Sequence, residues 1–249
     1  MSDALLLQIA EILDRAETEL LRTVTYRQGR PFGRETLDRE LGEIRDAVLR
    51  MGEAVEGAIG ASVRALSAND VTLAESVIAG DVRINEMQRT ISALITTSIA
   101  TQQPVARDLR YLLALDHVGY ELERIGDHAK SVAKHARYLG DEPQMQAYVA
   151  LPEIGALAAE QLHAILLALV AVDEVRAREV AAVDDDIDAR YHATFDQLLG
   201  LMRADGTNVN RGTHLLLVAH DLERIGDRVT NIAEDVVFLA RGEIEDLNP

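Results

Sequence analysis

The chain has 249 residues, 48% hydrophobic but only 4% aromatic, with no Cys or Trp and a formal net charge of −17. Zero cysteine excludes disulfides and thiolate metal sites, and the charge argues against nucleic acid and against a direct grip on an anionic membrane, both of which need clustered Lys and Arg. Cations and basic partner proteins suit it instead, and a composition dominated by Ala, Leu, Val, Glu, Asp and Arg is that of packed helices rather than of a sandwich or barrel.

The first residues, Met-Ser-Asp-Ala-Leu-Leu-Leu-Gln-Ile, lack the basic start and small-residue cleavage site of a signal peptide. The longest apolar run, from Ala164 to Val172, is too short to span a bilayer. A soluble, cytoplasmic chain is expected. An amphipathic helix is predicted over residues 3–26, broken by Gln28-Gly29-Arg30-Pro31-Phe32-Gly33. The spacing Leu37, Leu41, Ile44, Val48, Met51, Val55, Ile59 predicts a second helix over 34–66. Asn69 or Asp70 then caps a third over 71–101. Pro104 suits the first turn of a fourth, which runs to about residue 139 and stops at Gly140-Asp141-Glu142-Pro143.

The plan then recurs. A helix over 148–172 leads to Asp173 as a cap, the next runs to about 202, and Arg203-Ala204-Asp205-Gly206 turns the chain into a last helix over 208–241. The hexapeptide Leu-Glu-Arg-Ile-Gly-Asp stands in the third helix of each set, at 122–127 and again at 222–227. Asp81-x-x-Ile84-Asn85 on one middle helix aligns with Asp184-x-x-Ile187-Asp188 on the other. The expected fold is therefore all-α: two tandem antiparallel three-helix bundles, at 34–140 and 144–241, related by an internal repeat, with residues 1–33 as an N-terminal helical extension.

Positions four apart share a helix face, so Glu123 projects beside Asp127, and Glu223 beside Asp227. Like charges at that spacing are unfavourable, and Gly126 or Gly226 between them costs about 1 kcal/mol in a helix interior. Local rule-breaking made twice calls for compensation. A hard cation would supply it, because carboxylates are the natural ligands of Mg²⁺, Mn²⁺, Ca²⁺ and iron. The gap at each glycine would admit the middle helix, bringing Asp81 in one half and Asp184 or Asp188 in the other. In the second half His220, Glu223, Asp227, Asn231 and Glu234 continue the stripe, whereas the first half has Ser131 and Lys134 where the second has Asn231 and Glu234; the second half is expected to be the better ligand set. The plainer alternative is a solvated face of Glu–Arg and Arg–Asp neighbours. Asp185 and Asp186 read as first-turn acids favoured by the helix dipole. His117, His128, His163, His192 and His214 show no paired ligand spacing, and Leu109, Leu112, Leu113 and the run 215–218 read as core. No nucleophile elbow, P-loop, dinucleotide fingerprint or His-Glu-x-x-His motif is present.

These residues resemble the PhoU family. Gln103-Pro104-x-x-x-Asp108-Leu109-Arg110 ahead of Glu121-Leu-Glu-Arg-Ile-Gly-Asp127 is similar to the family's first-repeat signature, and Asp221-Leu-Glu-Arg-Ile-Gly-Asp-x-x-x-Asn231-Ile-Ala-Glu234 to the second. The resemblance covers about residues 34–241. It implies a non-enzymatic negative regulator of phosphate uptake and phosphate-starvation signalling. Its implied partners are the ATPase subunit of a phosphate ABC transporter, a sensor histidine kinase and a second copy of itself, with membrane reached only through those partners. It also implies multinuclear metal (iron, zinc, manganese or magnesium) on the Glu-x-x-x-Asp faces, which here means Asp81, Glu123 and Asp127 in one half and Asp184, Asp188, Glu223, Asp227, Asn231 and Glu234 in the other. The extension before residue 34 has no counterpart in that picture, and Ser131 departs from an Asn common in the family motif. The alternative reading is a carboxylate-bridged metalloenzyme or metal-binding protein on a helical bundle. Its weakness is the lack of the Glu-x-x-His pair such bundles use.

Overall fold

The computed structural model describes residues 34–140, 142 and 150–247; the helix predicted at 3–26 lies outside the described residues. The regular structure described is helical: α1 (Arg34–Ala68), α2 (Val71–Gln102), α3 (Arg107–Leu139), α4 (Ala150–Ala171), α5 (Glu174–Ala181), α6 (Asp184–Ala204) and α7 (Val209–Arg241), with a 3-10 turn at Gly206–Asn208. In α1 the apolar residues return every third or fourth position, and Ile44, Val48, Met51, Val55, Ile59, Val63 and Leu66 are buried as one stripe.

The repeat is visible even in its turns. Asp70 caps α2 by accepting from the Leu73 amide, and Asp173 caps α5 by accepting from the Arg176 amide. The residue before each cap is left-handed, Asn69 at φ 52° and Val172 at φ 50°. Asparagine tolerates that region; a β-branched valine there is held by its surroundings.

The single helix expected after Asp173 is instead two, broken at Ala182–Val183. The Val183 amide bonds back to Val180 O, and the amides of Asp186 and Ile187 both bond Val183 O, so the ladder restarts at Val183. Three consecutive aspartates then open α6 instead of lying inside a longer helix. At a helix start their charge is favoured by the macrodipole, which a mid-helix position would not provide. Asp185 and Asp186 are exposed there, as expected of first-turn acids.

Helices α1, α2 and α3 pack against one another, as do α4, α5–α6 and α7; α3 also packs on α7 and α1 on α4. One continuous apolar core runs through both bundles. Two glycines bring α1 and α4 close: a Cβ on Gly52 would strike Leu166, and one on Gly155 would lie 2.5 Å from Val63. Helix α4 is long and apolar enough, by length and composition alone, to cross a membrane. Its Leu151, Ile154, Leu162, Ile165 and Leu169 are buried in the core. The core expectation fails at two places: Leu113 is 51% and Leu217 43% exposed. Successive helical residues point about 100° apart, so an unbroken apolar run cannot face inward throughout.

Candidate acidic sites and the seam between them

Each hexapeptide lies within the long third helix of its bundle, with Leu122, Ile125 and Gly126 buried in α3 and Leu222, Ile225 and Gly226 buried in α7. This inward triplet leaves Glu123 and Asp127, or Glu223 and Asp227, on a partly exposed face. The glycines do admit the middle helix. A Cβ on Gly126 would lie 3.1 Å from Ile84, and one on Gly226 would lie 2.5 Å from Asp184 Oδ1 and 3.0 Å from Ile187. Packing of Ile84 or Ile187 at the bare backbone sets the helix spacing, and it seats Asp81 and Asp184 beside the carboxylate pairs.

The two sites then differ in content. In the first, Asp81 is only 3% exposed. Its Oδ2 accepts from Lys130 Nζ at 2.5 Å and from Asn85 Nδ2 at 3.0 Å. Lys130 also stands 3.9 Å from Asp127, while Arg124 lies 3.8 Å from Glu123 and 4.0 Å from Asp127. The hydrogen bond to Asp81 holds the Lys130 ammonium above its ordinary range. Burial, then the neighbouring Asp127, pushes Glu123 up.

In the second site Asp184, the first residue of α6, is 4% exposed and its carboxyl is pushed up to about 7, first by burial and then by Asp227, Asp188, Glu223 and Asp185. Burial, then Asp227, also raises Glu223. Burial raises Asp227 despite Arg224, whose guanidinium donates to it at 2.5 Å from the rim. Asp188 Oδ1 is buried without a hydrogen-bond partner. Glu223 Oε2 has His220 Nδ1 at 3.3 Å. The position matching Lys130 is Thr230, buried, with its hydroxyl directed at Gly226 O at 3.4 Å.

Asp184, Asp188, Glu223 and Asp227 are thus brought together, and so are Asp81, Glu123 and Asp127. Asn231 and Glu234 are not part of either group. The Asn231 amide donates to Glu121 of α3 at 3.2 Å, and Glu234 accepts from the Leu247 amide at 3.0 Å. Helical spacing put them on the stripe, but neighbouring elements engage both. Among the described residues, no three His, Asp or Glu side chains stand close enough to hold a metal ion as they are. Sequence reasoning looked at Ser131 and Lys134 and missed Lys130. The signal was available, since Lys130 is one turn beyond Asp127 and its counterpart one repeat later is a threonine.

Sequence reasoning also missed the seam where α3 crosses α7 antiparallel. His117 Nδ1 lies 2.7 Å from Asp235, His128 Nδ1 3.0 Å from Asp221, and His135 Nδ1 2.8 Å from His214 Nδ1. Glu121, almost fully buried, accepts from Arg228 at 3.4 Å. Glu121 and Asp221 are counterparts in the repeat, as are His128 and Arg228, so the same acid–base contact is made twice in opposite senses.

The fold and these faces define a class: an all-helical tandem-repeat protein with two bundles on one core, each presenting carboxylates from its third and middle helices. A family model described as the PhoU domain matches residues 48–136 and 151–236. The chain belongs to the PhoU family. It is 38% identical over 205 residues, covering 82% of this chain and 89% of the relative, to the phosphate-specific transport system accessory protein PhoU homolog of Caulobacter vibrioides. It is 36% identical to the protein of the same name from Clostridium acetobutylicum, covering 86% of this chain and 99% of that one. The fold matches the crystal structure of PhoU from Pseudomonas aeruginosa with a TM-score of 0.80 at 34% identity, covering 83% of this chain and 99% of that chain.

Proposed function

We propose that the protein is a negative regulator of phosphate uptake and phosphate-starvation signalling that acts by protein contact, without catalysis, from the cytoplasm. The observation that carries this reading is that both repeats align over nearly the full length of relatives named as phosphate-specific transport accessory proteins. Its partners are the ATPase subunit of a phosphate ABC transporter and a sensor histidine kinase, and it works as a homodimer. A chain of net charge −17 with two carboxylate faces suits basic patches on those partners, where complementarity sets specificity and on-rate. The test is affinity capture of the tagged full chain from membrane-containing lysate of its own host, grown in high and in low phosphate. Phosphate-dependent enrichment of a transporter ATPase or a sensor kinase is expected; recovery of the protein alone under both conditions would sink the reading.

The metal expectation fits the two repeats unequally. In the second, Asp184, Asp188, Glu223 and Asp227 form an all-oxygen donor set in which burial first, and then neighbouring carboxylates, raises Asp184, Glu223 and Asp227. These four, drawn closer together, would hold a hard divalent cation. Bound there, the ion would neutralise the crowded carboxylates. Asp81, Glu123 and Asp127 do not fit in the same way, because an ammonium already stands among them.

A further inference from the structure

We infer that Lys130 is a built-in cation that closes the first repeat to metal, so that divalent cations are taken by the second repeat alone. The inference rests on the metal reading of the second repeat only for its second clause. Lys130 follows Asp127 by one turn of α3, and its stem reaches across to α2, where Nζ binds the buried Asp81 while remaining 3.9 Å from Asp127. It therefore sits between the middle-helix aspartate and the hexapeptide aspartate, two of the three carboxylates the first repeat offers. Asn85 takes a second contact on the same Asp81 oxygen. A dication entering there would have to displace a covalently tethered charge from a buried partner, or lie beside it against like-charge repulsion. The counterpart arginines differ in the opposite sense, Arg224 donating to Asp227 at 2.5 Å where Arg124 stands 4.0 Å from Asp127. But Arg224 reaches a partly exposed carboxylate from the rim, whereas Lys130 is bonded to the buried Asp81. The difference lies one turn on. Thr230 stands in place of Lys130, carries no charge, and directs its hydroxyl at the Gly226 carbonyl of its own helix. The internal repeat thus keeps the carboxylates in both halves, while in the first the buried middle-helix aspartate is bonded to a lysine of the third helix.

The test is equilibrium dialysis of the full chain against Mn²⁺, with bound metal read by elemental analysis and electron paramagnetic resonance. Asp184→Asn/Glu223→Gln leaves the first repeat untouched and is expected to lose the bound Mn²⁺. Lys130→Thr, which installs the second repeat's residue, is expected roughly to double the bound Mn²⁺ by opening a second carboxylate set, and adding Glu123→Gln should remove the gain. Circular dichroism monitors the fold of each variant. Two results would overturn the inference: Mn²⁺ retained by Asp184→Asn/Glu223→Gln and then lost on adding Glu123→Gln, or no gain in folded Lys130→Thr. If wild type binds no Mn²⁺ but Lys130→Thr does, the role of Lys130 stands and the second-repeat metal reading fails.

Discussion

Asp81 and Asp184 occupy the same place in the two repeats and are almost equally buried, yet they are neutralised differently. Asp81 has a lysine hydrogen-bonded to it. Asp184 is crowded by Asp227, Asp188 and Glu223, and its carboxyl rises to about 7. A group raised in the fold contributes its stability below the unfolded pKa, and loses it as pH climbs through the folded one. For Asp184 the folded state is therefore most favoured below about pH 4 and pays the full charge penalty above about 7. Asp184→Asn is expected to melt higher than wild type at pH 8 in chelator, by several degrees at roughly 2–4 °C per kcal/mol. The gap should shrink towards zero near pH 4, as scanning calorimetry would show. A variant less stable than wild type at pH 8 would mean that Asp184 is held by contacts stronger than the repulsion it suffers.

At the scale of elements, α3 and α7 cross with an ionisable seam beside the apolar core they share. The hydrogen bond to Asp235 is the largest influence on His117 and raises its pKa, outweighing desolvation. Asp235 itself is raised, by burial first, with His117 acting against it. The partners shift as burial and pairing require: the acid feels mainly the loss of water, the imidazole mainly the acid. The contribution of His117 is present below its ordinary 6.5 and fades as pH rises through the higher folded value. Titration by heteronuclear NMR should find His117 above the ordinary histidine value and return it towards that value in Asp235→Asn. An unchanged His117 in that variant would show that the pair does not exist in solution. The seam was not legible beforehand, because helical periodicity specifies which face of α3 a residue occupies but not which helix covers that face.

For the molecule as a whole, the repeat acts as an internal two-fold. Gly52 of α1 receives Leu166 of α4, and Gly155 of α4 receives Val63 of α1, so each glycine meets the counterpart of the side chain that the other meets. This is the reciprocity of an isologous dimer contact, achieved within one chain. Gly52→Val and Gly155→Val should each destabilise by about 1–3 kcal/mol through overpacking, measured by urea denaturation. The contacts do not share side chains, so the double variant should approach the sum. A double variant no worse than either single would indicate that the bundles separate after the first insult, with two independent unfolding transitions.

The amino-acid sequence by itself determined the all-helical class, the repeat, a cap at Asn69 or Asp70 and another at Asp173, and the shared faces of Glu123 with Asp127 and of Glu223 with Asp227. All of these are local: they follow from a 3.6-residue period, side-chain capping chemistry and a repeated hexapeptide. It also anticipated that Gly126 and Gly226 would let the middle helix in, since a bare backbone within an apolar triplet has few other uses. Tertiary structure alone decided which charges meet across helices. It drew Asn231 to Glu121, set Lys130 against Asp81, broke the helix before Asp184, and joined both bundles on one core. Each depends on the distance and direction of approach between elements far apart in the chain, which packing fixes and helical periodicity leaves free.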